Sequence, residues 1–107
     1  MSLASMEDIQ EFVGQAEDIL GQRLEEVILY GSYARGDYVP GSDVDILFLV
    51  SEEDKDDWKK VSKMAANFSL ERDVKFSPKV MEKKKFDERT DETAGFYSEV
   101  SDQGIKL

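Results

Sequence analysis

The sequence predicts an α/β domain, α+β in some schemes, built on a small mixed sheet of about three to four strands flanked by helices. Three observations predict it. An opening segment carries apolar residues at helical spacing. Two short apolar runs, residues 27–30 and 46–50, are separated by a polar loop rich in Gly and Pro. A second stretch of helical spacing then leads into an alternating run at residues 73–77. At 107 residues the chain fits one domain, residues 1–107, with a single core and no room for a second.

In the first helix Ile9, Phe12, Val13, Ala16, Ile19, Leu20 and Leu24 recur every three or four residues and form one apolar face. Ser5 and Asp8 have the spacing of a capping box, and Glu7 and Asp8 suit the positive end of the helix dipole. Gly14 and Gly21 weaken the helix modestly, the second where it frays toward the first strand. That strand, residues 27–30, feeds a Gly31-Ser32 turn. After a loop through Pro40 and Gly41, the second strand opens with Asp43-Val44-Asp45 and becomes fully apolar.

Ser51, Glu52, Glu53 and Asp54 have the composition of another capped start, and Trp58, Val61, Ala65 and Phe68 follow at helical spacing. The second helix is expected over roughly residues 53–70, with Trp58 as a core anchor and Lys55, Asp56, Lys59, Lys60 and Lys63 on a solvated face. The alternation at 73–77 has the period of a half-buried strand, interrupted by Pro78 and resuming through Val80 and Met81 at an edge. Lys83, Lys84, Lys85 and Arg89 read as a solvated helix face among acidic neighbours. The tail offers a short helix near Phe96-Tyr97 and a terminal extended piece at residues 104–107.

Composition narrows the function. The net charge is −10, which opposes tracking along a nucleic-acid backbone. With no histidine and no cysteine, Ser-His-Asp and Cys-His catalysis are excluded, as are disulfides and thiolate metal sites. No apolar run approaches a membrane span, and residues 1–3 lack the features of a signal peptide, so a cytoplasmic location is expected. No Gly-Lys-Ser/Thr follows a glycine loop, which excludes a Walker P-loop.

The chemistry concentrates at the two strands. Side chains alternate along a strand, so Asp43 and Asp45 project from one face about 6–7 Å apart. Their repulsion, roughly 1–3 kcal/mol for dielectrics between water and a protein surface, gains the fold nothing unless a cation lies between them. A divalent metal is the obvious cation. Gly31 and Ser32, directly after a strand, give a tight turn whose amides and hydroxyl can receive phosphate oxygens. Asp-x-Asp alone also occurs in glycosyltransferases, and an aspartate pair in haloacid dehalogenase-type phosphatases, but neither expects a Gly-Ser turn twelve residues earlier.

Gly31-Ser32, ten intervening residues, and Asp43-Val44-Asp45, with Ala34-Arg35-Gly36 and Ser42 between, resemble the signature of the minimal nucleotidyltransferases (MNT) of the DNA polymerase beta superfamily. The order of elements fits across nearly the whole chain. The resemblance implies the polymerase beta-like nucleotidyltransferase fold. It implies that Asp43, Asp45 and Asp73 hold two Mg2+ ions and act in catalysis, and that Gly31, Ser32, Arg35 and Ser42 bind the nucleotide. Lys75, on the same face as Asp73, is a departure from the pattern. ATP would be the donor, and AMP would pass to a hydroxyl of a helical HEPN-type toxin, making this chain the MNT antitoxin of a HEPN/MNT pair. Two alternatives stay open: a non-catalytic module that neutralises a partner by contact, and transfer to a small molecule, which the missing second domain disfavours.

Overall fold

The computed structural model describes residues 3–89 and 95–107. Helix α1 (Met6–Leu20) starts from the expected capping box: the Asp8 amide donates to Ser5 Oγ and the Ser5 amide to Asp8 Oδ2, both at 3.0 Å. It buries Ile9, Phe12, Ala16 and Leu20. A turn of 3-10 helix, Gly21–Arg23, then leads into β1 (Leu24–Tyr30), so Leu24 opens the strand rather than closing the helix.

Four residues of helix, α2 (Ser32–Arg35), follow β1, and the loop after it returns the chain as β2 (Val44–Val50). Helix α3 (Asp57–Arg72) crosses over to β3 (Phe76–Glu82). Then come α4 (Lys83–Arg89), α5 (Phe96–Gln103) and the two-residue β4 (Ile105–Lys106). The sheet order is β3-β2-β1-β4, with β2 and β3 parallel and the other two pairings antiparallel. Pro78 lies on β3, an edge strand, where a missing amide donor costs the ladder least.

Strand β2 is central and covered on both faces, which explains its unbroken apolar run. On one face Val44, Ile46, Phe48 and Val50 pack with α1 and α3. Phe12 stacks on Phe76 at 4.2 Å and meets Phe68 edge-on at 5.4 Å. On the other face Leu47 and Leu49 join Ile28, Tyr30, Phe86 of α4 and Val100 of α5.

The structure corrects three expectations. Helix α3 begins at Asp57, not near residue 53, and the acidic residues before it form a loop fastened from below. Asp57 Oδ1 and Oδ2 accept from both terminal nitrogens of Arg23, at 2.7 and 2.8 Å. Oδ2 also takes the Asp54 amide at 2.9 Å, and Arg23 donates to the Glu52 carbonyl at 2.8 Å. Trp58 is 67% exposed rather than a core anchor, because the buried stripe of α3 runs through Asp57, Val61, Met64, Ala65 and Phe68, and Trp58 falls beside it. Asp73 does not begin the third strand. It ends α3 in the left-handed region at φ 55°, its amide donating to the Ser69 carbonyl, and β3 starts three residues later.

Candidate active site

Gly31 has φ 75° and ψ −155°, a conformation that an L side chain rarely adopts, and it turns β1 directly into α2. The Ala34 and Arg35 amides both donate to its carbonyl at 3.1 Å, and Gly36, at φ 88°, closes the short helix by donating to the Ser32 carbonyl at 2.9 Å. The antiparallel register pairs Tyr30 with Asp45, so the turn lies against the aspartates at one end of the sheet. The approach is close enough that a Cβ added at Gly31 would overlap the Asp45 carboxylate. Only a bare backbone fits there, so the Gly31 turn packs directly on the Asp45 carboxylate.

Asp45 lies on the face of β2 that carries Leu47 and Leu49, and Asp43, just before the strand, shares its parity. Burial pushes the Asp45 pKa up to about 6, with the Asp43 charge next and Glu99 of α5 after it. Lys79 and Arg35 oppose the shift. Tyr30 is pushed up as well, by burial and then by Asp45 and Glu99. A half-buried carboxylate pressed by two like charges is relieved by a cation, so the pair fits a divalent ion. Among the described residues there is no group of three or more carboxylates that could hold a metal ion; Glu99, whose charge reaches Asp45, is tied to Arg35.

The other expected residues are placed as follows. Arg35 holds Glu99 Oε1 at 2.6 Å and Asp37 Oδ2 at 3.4 Å. The Ser42 hydroxyl accepts from the Val39 amide at 3.0 Å and the Ser42 amide donates to the Val39 carbonyl at 2.9 Å, a turn that delivers Asp43. Asp73 caps α3.

What faces the aspartates from β3 is Ser77, paired with Asp45 in the parallel register, with Lys75 and Lys79 on the same parity. Ser77 Oγ donates to Asp43 Oδ2 at 3.2 Å, and Lys75 Nζ lies 3.7 Å from Asp43 Oδ1. Lys79 Nζ sits 5.5 Å above the Phe96 ring. Ser77, Lys79 and Glu99 were missed in the sequence. The alternation of β3 carried the signal for the first two, but only the register against β2 says which parity meets the site. No local pattern marks Glu99, whose position depends on how α5 docks.

The sequence matches the nucleotidyltransferase domain family over residues 9–105. It is 40% identical over 103 residues, 95% of this chain and 97% of the other, to a protein of Methanocaldococcus jannaschii provisionally assigned as a protein adenylyltransferase. Among solved structures it resembles a protein from Sulfolobus solfataricus provisionally assigned as a nucleotidyltransferase (TM-score 0.58, 24% identity, 94% of this chain and 76% of that one). It also resembles a chain of a toxin-antitoxin complex with AMP-PNP (TM-score 0.60, 18% identity, 91% and 70%). At these identities the two structures speak for the fold. The family match, spanning all but the ends, and the relative matched over nearly its whole length carry the assignment: the chain belongs to the nucleotidyltransferase domain family and is a nucleotidyltransferase.

Proposed function

We propose that the chain transfers AMP from ATP, with Mg2+, to a hydroxyl of a partner protein, and that the partner is a helical HEPN-type toxin which this chain silences as its antitoxin in the cytoplasm. The observation that carries the proposal is the packing of the Gly31 turn directly on the Asp45 carboxylate, too close to admit a side chain at position 31, which sets the turn and the aspartate pair together at one end of the sheet. The adenylyltransferase assignment of the M. jannaschii relative supports AMP as the transferred group and a protein as acceptor. The toxin-antitoxin complex with AMP-PNP supports the nucleotide and the class of partner.

In this reading the Gly31 and Ser32 amides and the Ser32 hydroxyl donate to phosphate oxygens, and Arg35 turns from Glu99 toward the triphosphate. Ser42 keeps the loop in the shape that presents Asp43. Asp43 and Asp45 would hold Mg2+, which when bound polarises the phosphate and neutralises charge developing at the α-phosphorus. The acceptor oxygen forms its bond to that phosphorus as the bond to pyrophosphate breaks, and the hydroxyl proton leaves to a carboxylate or water, since the sequence has no histidine. Asp73, which ends α3 three residues before β3, is not given a role in this set.

The test is incorporation of AMP from α-labelled ATP into a purified HEPN-type toxin that forms a complex with this chain. Label should appear on a toxin hydroxyl only when Mg2+ is present, and disappear with Asp43→Asn. Toxin silenced without any label, by wild type and by Asp43→Asn alike, would overturn transfer in favour of neutralisation by contact.

A further inference from the structure

Resting on the nucleotidyl-transfer reading of the site, we propose that the aspartate pair takes a single divalent ion, and that Lys75 and Ser77 occupy, against Asp43, the place that a third carboxylate and a second ion would need. The observation is the side-chain set that β3 turns toward β2. In the parallel register Ser77 stands opposite Asp45, and on the same parity are Lys75 before it and Lys79 after it. A carboxylate at position 77 would stand beside Asp43 as a third acid; the chain has a hydroxyl there and a lysine two residues to either side.

Both oxygens of Asp43 are engaged from this side, Oδ2 by the Ser77 hydroxyl of β3 at 3.2 Å and Oδ1 by the ammonium of Lys75, just before the strand, at 3.7 Å. Glu99, the remaining carboxylate whose charge reaches Asp45, is tied to Arg35 at 2.6 Å. An ion shared between Asp43 and β3 would face an ammonium where it needs an oxygen ligand, and an ammonium offers donors and no lone pair. An ion between Asp43 and Asp45 on the side of the Gly31 turn meets no such conflict. Lys75 is a mobile point charge, 56% exposed. It can therefore supply in one piece the positive charge that a second ion would bring to the acceptor side.

Counting Mn2+ by electron paramagnetic resonance, with the non-hydrolysable α,β-methylene analogue of ATP, tests this without relying on turnover. Wild type should bind one Mn2+ per chain with an isolated six-line spectrum. Ser77→Asp combined with Lys75→Met should bind two, broadened by dipolar coupling as for ions about 3.5–4 Å apart. Two coupled ions in wild type would overturn the proposal and leave nucleotidyl transfer standing. One ion in both proteins would overturn the role given to Lys75 and Ser77. No Mn2+ bound to wild type with the analogue would instead overturn the metal-dependent reading on which the proposal rests.

Discussion

Asp45 is an acid that the fold holds under pressure. In the unfolded chain it titrates near its ordinary 3.8, and in the folded protein near 6, raised first by burial and then by Asp43 and Glu99. Between those values the native state keeps a proton that the unfolded state has lost. Its contribution to stability is therefore complete below about pH 3.8 and is lost as the pH rises through about 6. Asp45→Asn removes that loss. In calorimetric melts with EDTA present, the variant should pull ahead of wild type across this window and keep its lead up to pH 8. A difference in Tm that stays constant from pH 3.5 to 8 would refute the reading. Adding Mg2+ and nucleotide should reverse the order, because only wild type gains a ligand.

At the scale of elements, the clamp between Arg23 and Asp57 ties the entry of β1 to the first turn of α3. Asp57 is 4% exposed, and its hydrogen bonds from Arg23 hold its pKa below the ordinary value despite burial. Asp57→Asn should cost about 2–4 kcal/mol by urea unfolding at neutral pH, somewhat discounted because Arg23 is partly solvated. That stabilisation is present above pH 3.8 and fades as the pH falls through the lowered folded value, so the two proteins should converge in acid. Asp73 makes a second elemental prediction. A residue at φ 55° is comfortable as Asn, so Asp73→Asn should melt within a degree or two of wild type, whereas β-branched Asp73→Val should melt lower. Turnover of Asp73→Asn should change no more than a few-fold; a hundredfold fall at unchanged nucleotide affinity would place the carboxylate in the chemistry.

These elements also show where sequence was enough. Strands β1 and β2 and the meeting of turn and aspartates were legible, because an apolar run, a glycine turn and an Asp-x-Asp entry are local patterns. The start of α3 was not, because Ser51 to Asp54 imitate a helix cap while the Asp54 amide binds Asp57, the Glu52 carbonyl binds Arg23, and Glu53 pairs with Glu82 of β3. Trp58 was misplaced by one position on the helical wheel, and that error is visible only once Asp57 is known to be buried. The β3 side of the site needed a pairing register between residues some thirty apart, which no spacing rule supplies.

Taken as a whole, the molecule carries a charge of −10 and confines the cations around its aspartates to Arg35, Lys75 and Lys79 among the described residues named at the site. On the proposed reading, a protein acceptor docking on such a surface presents basic groups around its hydroxyl. Raising NaCl from 50 to 300 mM should therefore raise the KM for the acceptor protein several-fold while leaving the KM for a small nucleotide much less changed. Equal sensitivity of the two would place the charge effect at the nucleotide rather than at docking.

The edges of the sheet restrict how that docking can happen. On one side β3 carries Pro78, which has no amide to offer an incoming strand. On the other β4 is two residues long, with Lys106 tied to Glu26 at 3.0 Å. Both features discourage the addition of a borrowed strand at these borders. On the proposed reading, an acceptor protein that brings its hydroxyl to Asp43 and Asp45 is expected to be recognised by shape and charge around the Gly31 turn rather than by adding a strand to the sheet.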